Sequence, residues 1–274
     1  MPAKTPKPQT RLTVLRTEAL TPRLIRVWLG GPAFADFRPN TFTDMYVKLV
    51  FSPDGRVPEG PINVAQARAE LPAGEAPVTR TYTVRTVDEG RGELAIDVVT
   101  HGDRGIAGVW AQRARPGDAL LLQGPGGAYA PDPDADWHVL AGDESALPAI
   151  ASAIEALPSH ARGVAVIEVE SEDDDALPLA HPAGVEVTWV ARNGAGPDPM
   201  RLRGALEAAL GGGWPSGVVH VFAHGERESV KALRTLFRER EVPRERLSIS
   251  GYWAHGRTED AFQAEKREPI GKID

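Results

Sequence analysis

The chain has no cysteine in 274 residues. That absence removes disulfide frameworks, thiolate zinc sites, cysteine-ligated iron–sulfur clusters and cysteine nucleophiles. No run approaches the roughly 20 apolar residues that span a bilayer, so no membrane insertion is expected. The first residues, Met1-Pro2-Ala3-Lys4-Thr5-Pro6-Lys7-Pro8, lack the apolar segment of a signal peptide, and a cytoplasmic location is expected. An excess of basic charge is missing too. The 31 Lys+Arg and 38 Asp+Glu give a net charge of −7, which argues against nucleic-acid binding.

The residues present, 42% hydrophobic and 25% charged, are those of a folded chain long enough for two domains. Charge divides unevenly between its halves. Residues 1–130 carry 16 basic and 13 acidic side chains, a net of +3, whereas residues 131–274 carry 15 and 25, a net of −10. The first half is the better host for an anionic ligand, although compositional drift would give the same asymmetry.

The halves also differ in rhythm. Residues 1–130 read as short strands at Arg11–Arg16, Leu24–Leu29, Met45–Phe51, Thr81–Val87, Leu94–Thr100 and Ala119–Gln123. Turn clusters such as Ser52-Pro53-Asp54-Gly55 separate them, and Gly105–Ala114 is the one helix expected there. The segment 129–136, rich in proline and aspartate, reads as a linker. Residues 131–274 then alternate strand and helix. Strands are expected at Trp137–Ala141, Val164–Val169, Val185–Val190, Val218–Ala223 and Leu247–Ser250. Helices are expected at Ala146–Leu157, Arg201–Leu210, Glu228–Glu241 and Thr258–Arg267. The predicted fold class is a six-stranded antiparallel β-barrel followed by a parallel-sheet α/β nucleotide-binding domain. By analogy of fold this is how ferredoxin-reductase-type flavin reductases are built, so the site residues must carry the function.

Three segments offer chemistry. Arg80-Thr81-Tyr82-Thr83 lies on a strand that sends Arg80 and Tyr82 one way and Thr81 and Thr83 the other. It supplies a cation, an aromatic wall and hydroxyls, as a flavin requires, yet it would also suit an ordinary half-buried strand. Asp97-Val98-Val99-Thr100-His101-Gly102 leads into Gly105-Ile106-Ala107 at a helix start, where backbone N–H groups can meet a diphosphate. There His101 reads as a solvated loop residue and Trp110 as core. Gly124-Pro125-Gly126-Gly127 reads as a turn ending a strand. Asp143-Glu144-Ser145-Ala146 follows the first strand of the α/β half, and Ser145 reads as an N-cap.

Together with Gly251-Tyr252-Trp253-Ala254-His255-Gly256-Arg257-Thr258-Glu259, these segments make the chain resemble the siderophore-interacting protein family of FAD-dependent ferric-siderophore reductases. The likeness runs from about Arg11 to Arg267. It implies non-covalent FAD between barrel and α/β domain, NADH, NADPH or reduced ferredoxin as electron donor, and a ferric siderophore as substrate. It further implies that Arg80, Tyr82 and Thr83 hold the isoalloxazine and adjoining diphosphate. Asp97, Val99 and His101 would line the ribityl and phosphate path, with Gly105, Ile106 and Ala107 at the pyrophosphate. Asp143, Ser145 and Ala146 would meet the adenosine end or the nicotinamide nucleotide, and Trp253 would lie near the flavin or its adenine.

Three basic positions often surround the chelate in that family. Lys48 matches the first, but Gly126 and Ala254 stand at the others. Arg257 and Arg104 compensate, or the preferred chelate carries less negative charge. No acid–base pair is required, since the cofactor supplies the chemistry. The acidic run Glu168, Glu170 and Glu172-Asp173-Asp174-Asp175 reads as a solvated loop that would disfavour a 2′-phosphate, hence NADH over NADPH. A monomer is expected. The rival readings are a reductase of free flavin and a flavin-free iron-chelate binding module.

Overall fold

Apolar residues at every second position build the first unit. β1 (Gln9–Thr21), β2 (Leu24–Gly30), β3 (Tyr46–Phe51), β4 (Val78–Asp88), β5 (Glu93–Val99) and β6 (Ala119–Gly126) form a closed barrel in the order β1-β2-β5-β4-β3-β6. Every neighbouring pair is antiparallel. Leu12, Leu29, Leu49, Leu94, Ile96 and Leu122 belong to one buried core, and closure leaves no strand edge exposed. The computed structural model describes residues 7–72, 74–174 and 177–273. Met1–Pro6 and Asp175 of the acidic run lie outside them.

Two expectations for this half need correction. α2 (Ile106–Arg113) has a companion in α1 (Val64–Glu70). Only Val64 of α1 is buried, so it carries no apolar stripe. Its sequence signs are the Asn63 cap, which accepts from Gln66 N, and three alanines. The Gly124–Gly127 segment does not end its strand at Gln123, because β6 continues to Gly126, which pairs with Tyr46. Trp110 packs against the barrel core as expected.

The second unit alternates β7 (Trp137–Asp143), α3 (Leu147–Glu155), β8 (Arg162–Val169), β9 (Gly184–Ala191), α4 (Pro199–Ala209), β10 (Val219–Glu226), α5 (Arg227–Glu239), β11 (Leu247–Trp253) and α6 (Glu259–Glu265). The strands form one parallel sheet in the order β11-β10-β7-β8-β9. From β7 the chain moves outward to β8 and β9, then crosses back to β10 and β11. The topological switch point therefore lies between the carboxyl ends of β7 and β10, where open α/β sheets take their ligands. One face of the sheet packs Val139, Ala141 and Val221 against Leu206 of α4 and Leu233 of α5. On the other face Gly142 lets α3 come close, since a Cβ there would sit 2.7 Å from the Ala146 Cβ.

The chain divides into two compact units, Met1–Ala128 and Tyr129–Asp274. Residues 129–136 are not a free linker. Tyr129 is buried with its ring 4.8 Å from Phe222, and Asp136 accepts from Val218 N at 2.7 Å. Among the described residues no helix is long and apolar enough to cross a membrane.

Candidate functional site

In the barrel, antiparallel register sets the faces of β4. Arg80 lies opposite Leu49 and Tyr82 opposite Val47, both core positions, while Thr81 faces Lys48 and Thr83 faces Tyr46. Tyr82 is half-buried against the core, Thr83 is buried, and Arg80 Nη1 donates to the Thr79 carbonyl at 2.9 Å. On neighbouring β5, Asp97 is buried and both its oxygens accept from Arg26, at 2.7 and 2.8 Å. The Asp97 carboxylate is thus committed to Arg26 within the barrel, and Val99 beyond it is half-buried. The chain beyond β5 turns through exposed His101, whose carbonyl accepts from Arg104 N at 3.3 Å.

Gly102 (φ 64°) and Gly105 (φ 77°) take left-handed conformations that place the start of α2. Gly105 is the N-cap without a side-chain cap, and a Cβ on it would meet nothing within 4 Å. The first turn, with half-buried Ile106 and buried Ala107, thus starts without a side-chain cap, and its first N–H groups have no intrahelical acceptor. That is the arrangement an anionic group needs.

The expected cationic positions behave differently from one another. Lys48 sits beside Thr81 and Gln123 in the barrel wall. At Gly126 a Cβ would lie 2.5 Å from Tyr46 Cζ, so the tyrosine ring rests on bare backbone. Lys7 Nζ stands 5.6 Å from the centre of the same ring. Sequence reasoning did not single out Tyr46. In the second unit Ala254 is buried. Arg257 Nε donates to Glu265, a carboxylate it shares with Arg227.

The carboxyl edge of the parallel sheet gathers residues far apart in sequence. Asp143 accepts from Ser145 N and Oγ, from Glu226 N, and from Trp253 Nε1 at 2.8 Å. Ser145 is not the N-cap of α3. That position is Ala146, without a side-chain cap, and the Ser145 hydroxyl turns back to Asp143. Glu226 caps α5 through Glu228 N and Ser229 N and accepts from His255 N. Gly225 and Glu226 were not predicted, though a glycine followed by an acid at the end of an apolar strand is a detectable signal.

The acidic run is solvated only in part, for Glu172 and Asp173 are exposed. Glu168 and Asp174 are buried, and Arg192 binds Glu144, Glu168 and Glu170 at 2.9, 3.1 and 2.8 Å. Burial holds the Glu144 and Glu168 carboxyls above the ordinary range even so.

An antiparallel barrel followed in the chain by this parallel sheet is the ferredoxin-reductase-like architecture. Within it, residues 13–129 match the siderophore-interacting FAD-binding domain and residues 135–256 the siderophore-interacting protein domain. The chain belongs to the siderophore-interacting protein family. It is 33% identical over 268 residues to the ferric vibriobactin reductase ViuB of Vibrio cholerae, covering 93% of each chain. It is 32% identical over 245 residues to the NADPH-dependent ferric-chelate reductase of Escherichia coli, covering 88% of this chain and 91% of that one. A siderophore utilization protein from T. fusca superposes with a TM-score of 0.77 at 35% identity, covering 93% of this chain and 96% of the other. The residues present are of the kinds FAD needs, for β4 carries an aromatic and a cation and α2 starts uncapped behind left-handed glycines.

Proposed function

We propose that the chain is a cytoplasmic, monomeric ferric-siderophore reductase that takes electrons from NADH or NADPH, or from reduced ferredoxin, and releases iron as Fe(II). The observation that carries this reading is the uncapped first turn of α2 behind Gly105, on the chain that leaves β5 beside the Arg80–Tyr82 strand. The reductase names of the Vibrio and Escherichia relatives support it. FAD supplies the step from a two-electron donor to a one-electron acceptor. Ferrous iron leaves because hard oxygen chelators hold Fe(III) far more tightly.

The protein's work is placement. Arg80 offsets diphosphate charge, Tyr82 provides the ring wall and Thr83 a hydroxyl at the ring edge. The Asp97–Val99 backbone and His101 line the phosphate path, and Gly105, Ile106 and Ala107 offer N–H groups there. Ser145 and Ala146 stand at the dinucleotide corner of the sheet. Lys48 attracts the chelate, and Arg257 contributes to the extent that Glu265 leaves its charge unmatched. Three carboxylates around Arg192 favour the ribose diol of NADH over a 2′-phosphate.

Anaerobic stopped-flow mixing of FAD-loaded protein with NADH, NADPH and reduced ferredoxin, then with ferric chelates of graded charge, tests the reading. Bleaching of the ~450 nm band by NADH and its recovery on adding chelate are expected. Failure to bind FAD would leave an iron-chelate binding module. Flavin that departs on gel filtration, with no stimulation by chelates, would make the chain a reductase of free flavin.

A further inference from the structure

A groove of about 1320 Å³ opens at the amino edge of the parallel sheet, where β7, β8 and β9 begin and α4 ends. Trp137 starts β7 and Asp143 ends it, which separates them by about 20 Å at the usual rise of a strand. The groove is therefore distinct from the dinucleotide corner. Two half-buried indoles, Trp137 and Trp214, line it together with half-buried Leu210. So do the exposed residues Arg162, Glu186 and Asp134.

Arg162 lies opposite Gly184 and Glu186 opposite Val164. Arg162 and Glu186 are thus diagonal neighbours on one face of the sheet, within reach of long side chains. They do not pair. The Arg162 stem passes Gly184, where a Cβ would lie 3.4 Å from its Cγ, and the guanidinium stacks 4.8 Å from the centre of the Trp137 ring. Trp137 Nε1 is buried with no acceptor among the described residues, so packing and the guanidinium hold the indole. Among the described residues Arg162, Glu186 and Asp134 make no ion pair, whereas Asp136 accepts from Val218 N. An exposed ion pair adds little stability, so the fold loses little by keeping these charges apart. A ligand of one sign meets repulsion from one side of the groove. A ligand carrying both signs satisfies both sides and lays its apolar body on the indoles.

We propose that this groove binds a small zwitterion with an aromatic or large apolar body, whose carboxylate meets Arg162 and whose ammonium meets Glu186. The shared chemistry is that of an aromatic α-amino acid or a short peptide. The site goes beyond the reductase reading and does not depend on bound flavin.

Isothermal titration calorimetry of the full chain tests this with phenylalanine and with phenylalanyl-phenylalanine, each also as its C-amide and its N-acetyl form. The proteins are wild type, Arg162→Gln and Glu186→Gln, exchanges at exposed positions. Both unblocked ligands are expected to bind wild type, and the tighter of the two identifies the source of the zwitterion. Amidation and acetylation should each weaken binding about tenfold, the scale of one lost hydrogen bond to a charged group. In Arg162→Gln amidation should cost nothing further, and in Glu186→Gln acetylation should cost nothing further. Saturating NAD⁺ should leave the affinities unchanged. Absence of binding at millimolar ligand overturns the proposal, and so does equal affinity for free and blocked forms. A loss on amidation that persists in Arg162→Gln removes Arg162 from the site and overturns it as well. Competition by NAD⁺ would place the ligand at the carboxyl edge of the sheet and refute the groove, whatever becomes of the reductase reading.

Discussion

A glycine can be fixed by its neighbour rather than by its own backbone, and Gly126 is such a case. With Tyr46 Cζ only 2.5 Å from where its Cβ would be, the missing side chain and the tyrosine ring are two halves of one choice. Gly126→Arg should therefore displace the ring and cost about 1–3 kcal/mol, the usual range for overpacking. Adding Tyr46→Ala should recover most of that loss. Urea titration of both variants checks the coupling, and an equal cost in the two backgrounds would show that the contact is soft. Gly225→Ala at the other unit should be worse tolerated. It meets a buried carboxylate rather than a movable ring, and its φ of 147° disfavours any side chain.

Among the elements, β7 and β10 set the acid sensitivity of the second unit. His138 and His224 lie on the sheet face that carries Phe222, and both are buried. Burial lowers the His138 pKa to about 4 and the His224 pKa to about 3. An unfolded chain protonates these rings near the model-peptide value of about 6.5. Their contribution to stability is thus complete above that pH and is lost as pH falls towards the folded values. His138→Leu should reduce the drop in urea midpoint between pH 7 and pH 5 relative to wild type. Glu144 and Glu168, held above the ordinary range, titrate with the opposite sign, so wild type and variant are compared at each pH. The strands and most helices were legible because burial on one or two faces writes a period into the sequence. α1 was not, because with a single buried residue it is held by capping and alanine propensity. Of the site, Asp143, Ser145, Ala146 and Trp253 were named from sequence and the structure joins them at one corner. Their hydrogen-bond roles were illegible, since which acid meets which donor depends on the crossing from β9 to β10.

For the molecule as a whole, ligand linkage and charge give two measurable consequences. If FAD binds only the folded chain, stability should rise by about 2.7 kcal/mol when free FAD is at 100 times its Kd. Thermal scans with and without FAD read this directly, and an unmoved midpoint would exclude folded-state FAD binding. The barrel half carries net +3 and the other half −10. Attraction of anionic chelates should therefore rest on local cations such as Lys48 rather than on the overall field. Lys48→Ala is expected to raise KM for anionic ferric chelates several-fold at low salt, with the difference shrinking as ionic strength shortens the Debye length to about 8 Å. Flavin content should stay unchanged.

The bond between Asp143 and Trp253 also has a temporal meaning. Its partners are separated by 110 residues, so it closes one of the longest loops in the second unit and cannot form until β10 and β11 have found their register. Contacts of such high sequence separation are entropically costly and come late in folding. A refolding chain should regain its backbone dichroism first, and the near-ultraviolet signal of an immobilised indole afterwards. The aromatic corner of the sheet is then also a clock, whose signal reports when the last two strands have docked in their native order.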